Sequence, residues 1–184
     1  MSGWTAGRQN VKRSKALIEG GQTERLHATF HHRPYSVAVH SWNMVALLEV
    51  LNPGASLRLT KACLFHDVAE RWVGDMPAPA KWWLTPDAGK AFGEVEARLK
   101  RDLMVDYEEG LNEVERQWLK AMDLLELCLF CGDELNLGNR DVDQIINVCH
   151  RLLAQDWVPK EVRDFVAHLQ WERTPDKFDS EFEK

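Results

Sequence analysis

Between residues 112 and 131 apolar side chains run right round a helix, with Trp118, Leu119, Met122, Leu124, Leu125, Leu127, Cys128, Leu129 and Phe130 leaving no polar face. Such a helix must be central, so the rest of the chain has to supply packing partners on every side of it. Two acids, Asp123 and Glu126, stand inside the same run. A carboxylate is almost never fully buried without a partner, because leaving it unpaired costs free energy or forces its protonation. Asp123 therefore calls for a cation, either a Lys or Arg salt bridge or a metal.

The flanking segments predict further helices. Residues 8 to 19 form a short one, anchored by Val11, Leu17 and Ile18 and stopped by Gly20-Gly21. Gln22 to Pro34 has no clean period and reads as a histidine-rich loop, either a solvated connection or a site wall. From Tyr35 to Leu51 the positions Val37, His40, Met44, Leu47, Leu48 and Leu51 follow helical spacing, which puts His40 on the core face, and Asn52-Pro53-Gly54 ends the helix. Ser56 begins the helix that carries His66-Asp67, on which Glu70 shares a face with His66. Gly74 then turns the chain into Asp75 and a proline-stiffened segment ending at Lys81. Thr85 and Pro86 open a charged surface helix to about Met104. Asn139 or Asp141 caps a helix through Leu153, and Pro159 opens a last one carrying Phe165, Leu169 and Trp171. No strand or internal repeat is evident. The expected class is all-α, a single domain over residues 1–184 with its core at about 8–171 and a charged, frayed tail at 172–184.

Composition narrows the function. A chain of 184 residues, 45% hydrophobic, is long enough to bury one sizeable core. The formal net charge is −6 with basic residues dispersed, which argues against nucleic acid as a partner. No long uncharged apolar run and no signal-like N-terminus are present, so the expected setting is the cytoplasm, away from membranes. Cys63, Cys128, Cys131 and Cys149 lie in apolar or helical stretches and read as reduced, buried thiols, the lone CxxC of Cys128 and Cys131 included. The Trp82-Trp83 pair is expected to be exposed and points to a homo-oligomer.

The core-facing ligand types are His40, His66, Asp67 and Asp123, on three predicted helices. This mixed nitrogen and oxygen set suits a borderline divalent metal such as Zn, Mn, Co or Fe better than Ca or Mg. Glu70 is the extra carboxylate that metal-assisted hydrolysis needs beside the ion.

The order H…HD…D resembles the HD-domain metal-dependent phosphohydrolases. Tyr35-Ser-Val-Ala-Val-His40-Ser and His66-Asp-Val-Ala-Glu70…Gly74-Asp-Met-Pro-Ala-Pro-Ala-Lys81 are similar to blocks of the YfbR-like 5′-deoxynucleotidase family and its small phage relatives, which include dATP triphosphohydrolases; the likeness spans about residues 25–126. The resemblance implies an HD-domain helical bundle. It makes His40, His66, Asp67 and Asp123 the ligands of Co, Mn or Zn, and Glu70 the general acid/base. Arg25, Lys81 and Lys120 become phosphate contacts, and Asp75 a residue that positions water or the sugar hydroxyl. The implied function is hydrolysis of a deoxynucleotide, mono- or triphosphate, by metal-activated water; a noncatalytic metal-bound nucleotide sensor is the alternative. Leu26 departs from the pattern, since a family member carries tryptophan there against the sugar, so sugar and base preference do not carry over.

Overall fold

The computed structural model describes residues 3–77, 80 and 83–169. Among them the regular structure is helical, the only pairing of extended backbone being an isolated bridge between Glu24 and Ser36. The helices are α1 (Gly3–Gly20), α2 (Val37–Leu51), α3 (Leu57–Phe65), the short α4 (Glu70–Val73), α5 (Pro86–Asp102), α6 (Glu113–Asn136), α7 (Asp143–Leu153) and α8 (Lys160–His168), with a 3-10 turn at Glu108–Gly110.

The long apolar helix is central, as its composition requires. Asn112 and Glu115 start α6 with a capping box, each side chain accepting from the other residue's backbone N–H, at 2.9 and 3.0 Å. From there α6 packs against α2, α3 and α7, and α8 closes over α7. The main core joins Met44 and Leu48 of α2, Leu59 and Cys63 of α3, Trp118, Met122 and Leu125 of α6, and Leu153 and Val162 of the last two helices. All four cysteines are buried free thiols, and burial pushes Cys63 and Cys131 up to about 12.

Three sequence expectations need correction. The first helix runs from Gly3 to Gly20, and Val11 and Ile18, expected as anchors, are exposed. It is held instead by Ala16 and Gly20, one turn apart, because a Cβ on Gly20 would stand 2.6 Å from Val68 Cγ2. Arg13 ties its middle to the end of α5 through the carbonyls of Leu103 and Met104.

The helix begun by Ser56 stops at Phe65, before reaching Asp67 and Glu70. In a continuous helix the His66 carbonyl would accept from the Glu70 N–H. Here Lys100 Nζ donates to that carbonyl at 3.2 Å, and the Glu70 N–H bonds Asp67 O at 3.0 Å, so residues 66–69 form a tighter turn between α3 and α4.

Neither Asn139 nor Asp141 caps α7, whose N-cap is Val142. The Asn139 amide is committed elsewhere: its oxygen accepts from Asp141 N, and its nitrogen donates to Phe30 O at 2.8 Å and to Glu134 at 3.2 Å. Other expectations hold, including Ser56 and Thr85 as N-caps and Pro86 as the first residue of α5. Lys81, Trp82, Trp171 and the 172–184 tail lie outside the described residues.

Candidate metal centre

His40 comes from the core face of α2, His66 and Asp67 from the turn after α3, and Asp123 from α6. One ligand atom from each lies within 4.8 Å of the others. His40 Nε2 is 3.4 Å from His66 Nε2 and 3.2 Å from Asp123 Oδ1, while His66 Nε2 is 3.0 Å from Asp67 Oδ2. Four donors about 2.1 Å from one centre stand about 3.4 Å apart at the corners of a tetrahedron. The spacing therefore fits a transition-metal ion, and so does the donor chemistry.

Both imidazoles are held from behind. His66 Nδ1 lies 3.0 Å from Cys63 O, an acceptor, so Nδ1 carries a proton and Nε2 is the nitrogen that faces the cluster. His40 Nδ1 lies 2.5 Å from Glu126 Oε2. The Glu126 carboxylate also accepts from the Tyr35 hydroxyl at 2.5 Å and from Asn43 Nδ2 at 2.9 Å. Burial works to raise the Glu126 pKa, but these donors, His40 first, hold it below the usual carboxylate range.

A guanidinium already serves the acids. Arg25 Nη1 bonds Asp67, and Nη2 lies 3.5 Å from Asp123 Oδ1. Burial opposes the Arg25 charge, yet Asp67 and Asp123 more than offset it and the pKa is raised. Asp123 lies well below its ordinary range: burial opposes ionisation, while bonds from His40 and His66 outweigh it. Burial likewise opposes the charged form of His66, and the Asp67 charge with the bonds to both acids pushes it up to about 10. A cation is thus what this cluster is built to hold.

Glu70 stands beside the cluster, with Oε1 3.9 Å from Arg25 Nη1 and a buried Oε2 that has no hydrogen-bond partner among the described residues. Burial, and then the negative charge of Asp67, push it up to about 8. A carboxyl with a free oxygen and a pKa near neutrality can exchange a proton with a reacting water.

Of the remaining predicted site residues, Asp75 does not enter the cluster. Its Oδ2 accepts from Leu26 N at 2.9 Å, pinning the loop that carries Arg25 where Leu26 takes a φ of 53°. Lys120 lines a cleft of about 330 Å³ with His66, Glu108, Leu111, Arg116, Leu119 and Asp123, its Nζ resting 4.8 Å from the centre of the Trp157 ring. Lys81 cannot be placed, being outside the described residues.

Sequence reasoning missed four contributors. Glu126 was detectable as a second acid in an apolar helix, three residues after Asp123. Tyr35 and Asn43, its partners, gave no such signal. Lys100, buried on a helix read as surface, bonds both the His66 carbonyl and Glu108.

A helical bundle that brings a histidine, a His-Asp pair and a distant aspartate to one point has the architecture of an HD domain. Residues 21–172 match the 5′-deoxynucleotidase YfbR-like family, and the chain belongs to it. Among curated relatives, the 5′-deoxynucleotidase of Vibrio cholerae is 29% identical over 51% of this chain and 53% of its own length. That of Pasteurella multocida is 26% identical over 63% of this chain and 64% of its own. The chain thus spans about half to just under two thirds of the length of these relatives. Among solved structures, the cyanophage S-2L HD phosphohydrolase DatZ, bound to dA and one catalytic Zn2+ ion, is 21% identical at a TM-score of 0.65, covering 89% of this chain and 96% of that one. An HD-domain phosphohydrolase from Listeria innocua is 18% identical at a TM-score of 0.64, covering 86% of each chain. At these identities the structural likenesses establish the fold. No described helix is long and apolar enough to cross a membrane.

Proposed function

We propose that this protein is a metal-dependent phosphohydrolase of deoxynucleoside 5′-phosphates. The observation that carries the reading is the convergence of His40, His66, Asp67 and Asp123 within 4.8 Å beside a Glu70 that is free to move a proton. Family membership supports the reaction class, and the dA and Zn2+ in DatZ support the ligand chemistry.

In this reading His40 Nε2, His66 Nε2, Asp67 and Asp123 hold Co, Mn or Zn, which when bound supplies Lewis-acid activation of water and of a phosphoryl oxygen. Glu70, which burial and the Asp67 charge hold at about 8, would act as base toward the attacking water and return the proton to the leaving oxygen. The Arg25 guanidinium, which bonds Asp67 and lies 3.5 Å from Asp123, would offset charge building on phosphate oxygens where those two acids serve as metal ligands. Lys120 contributes a cation on the phosphate side, and the family resemblance assigns Lys81 the same role. Asp75 keeps the Arg25 loop in register as well as facing the sugar.

The same proposal treats residues 1–184 as one HD domain of a cytoplasmic homo-oligomer, with the exposed Trp83 as a contact; a monomer by light scattering would remove the last element. A noncatalytic nucleotide sensor would have no use for a buried acid at Glu70 with one oxygen left without a hydrogen-bond partner.

The test is hydrolysis of dAMP, dGMP, dATP, dGTP and their ribose counterparts with Co2+, products separated by ion exchange. Free phosphate from monophosphates marks a nucleotidase, and triphosphate plus nucleoside from a dNTP marks a triphosphohydrolase. Protein that binds Co2+ yet turns over none of them refutes the proposal and leaves the sensor.

A further inference from the structure

Glu126 lies behind His40, on the side away from the other ligand atoms, and we infer that it is the positioning residue that fixes the ring and tautomer of His40 for metal binding. The inference rests on the metal reading of the cluster given above.

Three donors converge on this buried side chain. Oε1 accepts from Asn43 Nδ2 at 2.9 Å, while Oε2 accepts from the Tyr35 hydroxyl at 2.5 Å and lies 2.5 Å from His40 Nδ1. A carboxylate engaged in this way is an acceptor at every contact. At 2.5 Å from its oxygen, an unprotonated Nδ1 would set two lone pairs against each other, so Nδ1 carries the proton. Nε2 is then the nitrogen that faces the cluster, 3.2 Å from Asp123 Oδ1 and 3.4 Å from His66 Nε2, where the metal is expected. The carboxylate also raises the basicity of that nitrogen.

The two histidines are therefore set by different means, His66 by a neutral carbonyl of its own helix and His40 by a charged group on another. His40 and Glu126 are 86 residues apart, so their contact exists only once α2 has docked on α6. Tyr35, stacked on Phe130 with ring centroids 3.8 Å apart, and Asn43 keep the carboxylate from turning away.

Two measurements test this. In the parent protein without added metal, nitrogen-15 NMR of labelled histidines should show a proton on His40 Nδ1; an unprotonated Nδ1 would overturn the inference, whatever any variant does. In Zn2+ titrations by calorimetry, Glu126→Leu should weaken binding about 10- to 100-fold. Glu126→Gln retains an oxygen acceptor and should restore most of that loss, with the d–d spectrum of bound Co2+ following the same order. A folded Glu126→Leu protein with parental Zn2+ affinity and Co2+ spectrum would reduce Glu126 to a clasp between helices and overturn the inference. If the leucine variant does not fold, the tautomer measurement decides. A parent with a proton on His40 Nδ1 that binds no Zn2+ would instead refute the metal reading on which the inference rests.

Discussion

Glu134 offers the sharpest test of how this fold holds its site loop. It lies on α6, fully buried, and one carboxylate collects the backbone N–H groups of His32 and Arg33 at 2.7 and 3.1 Å, Arg33 Nε at 3.2 Å and Asn139 Nδ2 at 3.2 Å. Burial opposes its charge, but the His32 N–H and these other donors bring it down to about 2 from an ordinary 4.5. A fall from 4.5 to about 2 is worth about 3 kcal/mol at neutral pH. Because the folded pKa is depressed, the native state binds fewer protons there than the unfolded chain. The stabilisation is complete above pH 4.5 and is lost as pH falls toward 2. For these two values linkage leaves about 1.5 kcal/mol at pH 3. Glu134→Gln keeps the shape and removes the charge, so urea unfolding of parent and variant should differ by up to about 3 kcal/mol near pH 7 and by about half that near pH 3. Other acids titrate in both proteins, and the difference isolates this one. An equal difference at the two pH values would refute the assignment of the stabilisation to the ionised carboxylate.

Three other perturbations have defined outcomes. Glu70→Ala should keep metal affinity while lowering kcat by ~10²-fold or more, and a parental rate in steady-state hydrolysis would remove Glu70 from the reaction. Asp75→Ala leaves the Leu26 N–H without its acceptor and should cost about 1–3 kcal/mol in chemical denaturation, together with a raised KM as the Arg25 loop loosens. At Gly74 the backbone has φ 77° and ψ 155°, a region close to glycine-only, so Gly74→Ala should lower stability by about 1–3 kcal/mol in thermal unfolding although a Cβ there meets open space.

The helices were legible because their causes are local. A capping residue, an apolar period or a Pro-Gly stop acts within a few residues, and Ser56, Thr85-Pro86 and the apolar girdle of α6 each announce themselves without reference to the rest of the chain. Where reading failed, a distant group had intervened. Val11 and Ile18 are apolar and share a helix face, but the close approach of α1 is governed by Gly20, where a Cβ would stand 2.6 Å from Val68 Cγ2. The helix predicted through His66 and Glu70 ends at Phe65, and the His66 carbonyl it leaves free is taken up by Lys100, thirty-four residues further on.

The same division runs through the site. The sequence alone determined that the chain is all-α, that His40 faces the core, and that an acid at Asp123 inside an apolar helix must meet a cation; the order of ligand types indicated the family. Tertiary structure decided the rest: that the four ligand atoms share one point, that Arg25 reaches across 42 and 98 residues to Asp67 and Asp123, and that Glu126 rather than solvent backs His40. The physical reason is that periodicity and capping are set by neighbours along the chain. The partner of a buried charge is set by which helices come to lie side by side, and no local pattern encodes that pairing.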